Sequence, residues 1–283
     1  MQQTLFIIFV ILAITVQNVI KKAYGDKTQG FGTYIFTGIV CIVAAVFFAV
    51  TKKGGLHFSM EILPYSAGFA LGFAAIMVFS ILAIRCGSLA ITSLIISYSL
   101  MVPTVFGIIY FKEPTSWPLY VGVALLLISL ALINREEGKV KVNVKWIIYA
   151  VLSFFGNGFC YVVMQLQEKS AYASQSNEFM IIALLMAATL MIVMALIYER
   201  KHAIMCLKKA YFPVICGAAN GLANFLTILL LGMMPASFMN PLTAAGGIVA
   251  TAAVSILLYH EKLSKYQIAG VILGTASVVF LNL

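Results

Sequence analysis

The chain has 283 residues, 63% hydrophobic and 10% charged, where soluble domains run near half and a quarter; an ordinary water-soluble enzyme is excluded. A membrane-crossing helix takes about 20 apolar residues, so ten crossings use roughly 200 and leave roughly 80 for tails and connections. The net charge of +9 rests on 18 Lys and Arg that lie between apolar runs and form no groove-reading module, so nucleic acid is not an expected partner.

Apolar segments bounded by charge or turn residues run over 4–22, 31–51, 62–84, 88–111, 117–134, 145–167, 178–198, 211–232, 236–259 and 263–282, which predicts ten transmembrane helices. The opening stretch MQQTLFIIFVILAITVQNVIKK has no positive region ahead of its apolar part and no small-residue cleavage site after it, so it reads as a retained first helix, with no soluble domain before or after the membrane part. Trp117 and Trp146 open the fifth and sixth segments, and Tyr24, Tyr110, Tyr198, Tyr211, Tyr259 and Tyr266 stand at other ends. Amphipathic rings are expected there, at the headgroup level. The five cysteines show no CxxC spacing and imply neither a disulfide framework nor a metal site.

Uncharged polar residues inside the segments form one-sided stripes. The first segment carries Thr15, Asn18 and Lys22, and the fourth carries Ser93, Ser97 and the neighbouring Tyr98. In the sixth, Asn157, Tyr161 and Gln165 recur every four positions and so share a helix face. The eighth holds Asn220, Asn224 and Thr227; the ninth holds Ser237, Asn240 and Thr243. Amides, hydroxyls and phenols donate and accept hydrogen bonds, which suits a polar or zwitterionic solute that sheds its water. The expected solute contacts are Asn18, Ser97, Tyr98, Asn157, Tyr161, Gln165, Asn220, Asn224 and Asn240. Gly68 with Gly72, and Gly217 with Gly221, are GxxxG pairs that read as packing seams. Pro103 and Pro241 interrupt the fourth and ninth segments and predict kinks.

All nine acidic residues fall at segment ends or in connections, as do His57, His202 and His260. Intramembrane charge usually marks an ion or proton pathway, so neutral groups are expected to carry recognition. Glu113 and Glu261 stand just before the fifth and tenth helices, where a carboxylate suits a helix start; structural capping is the expected role. Without a His inside a segment, and without an HExxH, GxSxG or GxxxxGKS/T run, no nucleophilic or metal-hydrolytic constellation can be assembled. Neither enzyme activity nor a cofactor or metal is expected.

The chain repeats itself. A shift of 148 aligns Glu113 with Glu261, Ser116 with Ser264, Gly122 with Gly270, Ser129 with Ser277 and Asn134 with Asn282, and a shift of 149 aligns Pro64, Gly68 and Gly72 with Pro213, Gly217 and Gly221. Residues 1–134 and 145–283 are thus two related five-helix halves joined by 135–144. Because five is odd, the second half enters the membrane from the opposite side, which predicts an all-α membrane protein of two inverted repeats, the plan of alternating-access carriers. A cytoplasmic amino terminus would leave Lys52, Lys53, Lys112 and Lys169 on cytoplasmic loops and the other fourteen cations outside, so charge alone favours external termini.

The stretches GIIYFKEPTSWPLYVGVALLLISLALIN and VSILLYHEKLSKYQIAGVILGTASVVFLN resemble the ends of the two halves in the drug/metabolite transporter superfamily, specifically its ten-helix permeases with two EamA domains. Glu113, Glu261, Gly122 and Gly270 match the family's acidic and glycine positions, and Asn18 and Lys22 match its first helix, where Thr15 and Val16 replace a Trp-Gly pair. The resemblance implies a secondary carrier with a cavity lined by the first, third, fourth, sixth, eighth and ninth helices, and cytoplasmic termini. Small multidrug pumps of that superfamily use a glutamate in the first helix, which this chain lacks. The expected function is transport of a small polar or zwitterionic metabolite, such as an amino acid, across the plasma membrane by a multi-pass monomer or homodimer in the lipid bilayer. Export of hydrophobic cations or drugs is the alternative, followed by an intramembrane enzyme or scaffold.

Overall fold

The computed structural model describes residues 2–28, 31–52, 54–86, 96, 99–133, 144–259 and 265–281, and among them are helices and turns but no strand. The helices are α1 Gln2–Thr28, α2 Thr33–Thr51, α3 Leu63–Cys86, α4 Met101–Tyr110, α5 Trp117–Ile133, α6 Val144–Glu168, α7 Ser176–Tyr198, α8 Ala203–Leu207, α9 Tyr211–Met233, α10 Ala236–Tyr259 and α11 Lys265–Leu281. Among the described residues, six stretches are long and apolar enough to cross a membrane: Gln2–Gly25, Thr33–Thr51, Met60–Ser80, Val144–Glu168, Ala173–Tyr198 and Tyr211–Met233.

Two elements depart from the sequence expectation for identifiable reasons. α1 continues past residue 22 to Thr28 although that last part is polar. Its Tyr24 is buried with Phe36, Val40, Phe212 and Cys216, and the Thr28 hydroxyl donates to the Tyr24 carbonyl at 2.8 Å, so one apolar contact and one local bond carry the helix onward. In the fourth segment Ile96 is helical, Ser99 and Leu100 form a turn, and α4 runs on from Met101. Pro103 lies in its first turn, where a missing N–H costs nothing, and the Ser99 carbonyl that residue 103 would have bonded accepts from Val102 N at 3.0 Å. The proline therefore starts a helix here.

α8 was not expected. It exposes Ile204 and Leu207, buries Cys206, and lies between Arg200, Lys201, Lys208 and Lys209, the pattern of a short helix in the plane of the membrane interface. The two tryptophans part ways. Trp117 is 68% exposed, as an interfacial anchor should be, whereas Trp146 is buried against Ala83 and Ala150.

Helix contacts group the chain into two compact units, one of Met1–Ala74 with Leu166–Leu229 and the other of Ala75–Gln165 with Leu230–Leu283. In the first, α2 and α7 run antiparallel. The N–H groups of Tyr34 and Ile35 at the start of α2 donate to the Glu199 carboxylate just after α7, at 3.1 and 3.0 Å. At the other end Asn177 Nδ2 donates to the Phe48 carbonyl at 3.0 Å, and Lys52 meets Glu178 at 3.0 Å. The GxxxG seam of α9 lies against α2: a Cβ on Gly217 would stand 2.7 Å from Val43 Cβ, and one on Gly221 2.8 Å from Phe47 Cβ. Only hydrogen fits there, as close backbone approach requires.

In the second unit α5 packs along α11. Ser129 Oγ donates to the Gly270 carbonyl at 2.6 Å and Ser277 Oγ to the Gly122 carbonyl at 2.7 Å. Each late serine meets the other helix's early glycine, so these helices are also antiparallel. All four residues belong to the 148-residue repeat, and the two bonds exchange places under it. α10 packs on α4, α5 and α11.

Candidate functional site

Within the first unit the polar residues of α9 form a chain. Asn224 Nδ2 donates to Asn220 Oδ1 at 2.9 Å and to its carbonyl at 3.0 Å. Asn220 Nδ2 in turn donates to Gln17 Oε1 of α1 at 3.0 Å. Both asparagines are half-buried and Gln17 is buried. Asn18 lies within α1, but its side chain lies outside the described residues, as do Ser97 and Tyr98 altogether. Thr15 is satisfied locally by the Ile11 carbonyl.

Within the second unit, α6 supplies Asn157, Tyr161 and Gln165 at successive turns. Asn157 Nδ2 donates to Ser99 Oγ at 2.6 Å, and that hydroxyl donates to the Ile96 carbonyl. The close approach depends on Gly158, where a Cβ would stand 2.8 Å from Val102 Cβ. Tyr161 is half-buried and Gln165 fully buried.

The foot of that stripe reaches a carboxylate. α4 ends in a turn in which Lys112 takes the left-handed φ of 52° and Glu113 N reaches back to the Gly107 carbonyl at 3.2 Å, a helix stop with a left-handed residue just past the end. That turn sends Glu113 inward. Its carboxylate accepts from Gln165 Nε2 at 3.2 Å and from Ser237 N at 2.8 Å, and the residue is 7% exposed. A Cβ on Gly107 would stand 2.6 Å from Glu113 Oε2 and 2.7 Å from Gln165 Nε2, so the acid occupies the space a side chain there would need.

Glu113 therefore caps a helix start distant in sequence, that of α10, whose second residue is Ser237. Asn240 stands one turn further along α10. Four buried polar atoms on α6 and α10 have no hydrogen-bond partner among the described residues: Gln165 Oε1, Ser237 Oγ, and both Nδ2 and Oδ1 of Asn240. Gln17, Ser99, Glu113 and Gly107 were not among the expected contacts. For Gln17 and Ser99 the sequence holds no signal, since each is defined only by its partner on another helix. For Glu113 the signal was the Gly six residues ahead of it.

Among the described residues no three His, Cys, Asp or Glu side chains gather as a metal site would need. Residues 144–283 match the EamA-like transporter family, which lies in the drug/metabolite transporter superfamily. The chain is a multi-pass membrane protein that carries an EamA-like region. Multidrug resistance protein EbrA of Bacillus licheniformis is 36% identical to this EamA-like chain over 63 residues, 22% of the chain and 60% of that relative. A solved crystal structure, described only as that of a protein, has the same fold: the TM-score is 0.81 at 11% identity, over 99% of this chain and 96% of the other.

Proposed function

We propose that this EamA-like protein is a permease of the plasma membrane. It carries a small polar or zwitterionic metabolite, such as an amino acid, by alternating access between two inverted five-helix copies, residues 1–134 and 145–283. The observation that carries this reading is the exchange of bonds between α5 and α11, Ser129 to Gly270 and Ser277 to Gly122. Equivalent helices of two copies run antiparallel when the copies are related by a twofold axis in the membrane plane, the plan of alternating-access carriers. The antiparallel α2 and α7 support the same relation. The solute contacts are the amides, hydroxyl and phenols of Asn18, Ser97, Tyr98, Asn157, Tyr161, Gln165, Asn220, Asn224 and Asn240.

The test begins with purified protein and a metabolite panel, since a bound solute raises thermal stability, and continues with uptake of each hit into proteoliposomes. Substitution of Asn157, Tyr161 or Asn224 by Ala is expected to cut uptake at least fivefold while the protein stays folded. Normal uptake in all three would remove the assignment. Drug export, suggested by EbrA's name, predicts instead that tetraphenylphosphonium is moved and that no metabolite is.

A further inference from the structure

We propose that Glu113, Gln165, Ser237 and Asn240 form a binding site for a single monovalent cation, supplied either as free Na⁺ or as the ammonium group of a carried solute.

The side chains concerned are almost completely enclosed: Gln165 and Ser237, both bonded to Glu113, are 0% exposed and Asn240, one turn along α10, is 1% exposed. A buried polar atom without a partner costs kilocalories, more so where no water competes, and here four such atoms gather on two helices. Hydrogen bonds join two of the residues that bear them to one carboxylate. Gln165 spends its amide N–H on Glu113 Oε1 and leaves Oε1 over; Ser237 spends its backbone N–H on Glu113 Oε2 and leaves its hydroxyl over. Asn240 follows Ser237 by three residues and so lies on the same face of α10.

Pro241, inside α10, adds a further oxygen. With no N–H, it supplies no helical bond to the Ser237 carbonyl, which leaves that oxygen available to a ligand. The donor set is then a carboxylate, two amide carbonyl oxygens, a hydroxyl and a main-chain carbonyl: all hard oxygens, with one formal negative charge. An anion is disfavoured, because it would share this enclosed space with the Glu113 carboxylate, a like charge in a low-dielectric setting. A divalent ion beside a single carboxylate would leave one positive charge uncompensated in this enclosed space. A monovalent cation matches both the charge and the oxygens, and a water in its shell accepts from Asn240 Nδ2.

Binding is the readout, so a failed uptake assay leaves this proposal standing, and failed binding leaves the permease reading standing. Full-length protein in detergent is dialysed against ²²Na⁺ and, separately, ¹⁴C-methylammonium, with choline chloride holding ionic strength constant. One of the two is expected to bind saturably at one per chain; Na⁺ identifies a free ion and methylammonium a solute's amine. Glu113→Gln and Asn240→Ala are each expected to weaken that binding at least tenfold, and Thr189→Ala, on the exposed side of α7, to leave it unchanged. Asn240→Ala leaves the Glu113 cap on α10 in place, so it answers even if Glu113→Gln fails to fold. Absence of saturable binding for both probes, or binding indifferent to Asn240→Ala, overturns the proposal and leaves the cluster to bound water.

Discussion

Glu113 sits where two constraints meet: a helix that must stop and a carboxylate that must be satisfied. Lys112 takes a conformation that glycine adopts more readily, and the strain turns the acid back beside Gly107. Gly107→Ala is expected to lower stability by about 1–3 kcal/mol through overpacking, because the new methyl meets Glu113 and Gln165 inside 3 Å. Gly247 is the matched comparison, since a Cβ there meets nothing within 4 Å, and Gly247→Ala is expected to gain about 0.5–1 kcal/mol in helix propensity. Thermal unfolding in detergent separates them; equal shifts would mean that the Gly107 site is roomier than its distances indicate.

Between elements, charge is placed at helix ends and then enclosed. Glu178 in the first turn of α7 is fully buried, accepts from His57 N at 3.2 Å and pairs with Lys52, whose side chain is 21% exposed. The position near a helix start suits the carboxylate, but the pair also joins the end of α2 to the start of α7. Lys52→Met is expected to cost about 2–3 kcal/mol, the scale of a hydrogen bond to a charged group, and Glu178→Gln less, because the amide still accepts from His57. On α9 the seam against α2 has no spare volume, so Gly221→Leu is expected to part the two helices and to lower the unfolding temperature far more than Leu229→Ala on the exposed face.

At the scale of the whole molecule, each compact unit takes residues from both halves of the repeat. Relatedness along the chain and compactness in space are therefore different partitions. Equivalent helices meet as antiparallel partners, and cross-linking tests that directly. In a cysteine-free background, Gly122→Cys with Ser277→Cys is expected to form a disulfide, because Ser277 Oγ lies 2.7 Å from the Gly122 carbonyl and the backbones are within bridging range. Ser129→Cys with Ser277→Cys is not, because seven residues along an antiparallel partner displace it by about 10 Å. The reverse result would mean parallel copies.

The amino-acid sequence by itself determined the membrane class, the positions of the six long apolar helices among the described residues, and the Gly217 and Gly221 seam. Each of these is written in composition or in spacing along one helix, which a rise of about 1.5 Å and 3.6 residues per turn convert directly into faces and lengths. Local rules also placed Glu113 at a helix end. Only the tertiary structure decided which helix start it caps, that Gln17 holds Asn220, that Ser99 holds Asn157, and that Trp146 is buried. Those pairings depend on how far each helix slides and turns against its neighbours, and packing sets that among residues 50 to 200 positions apart, beyond the reach of any local pattern.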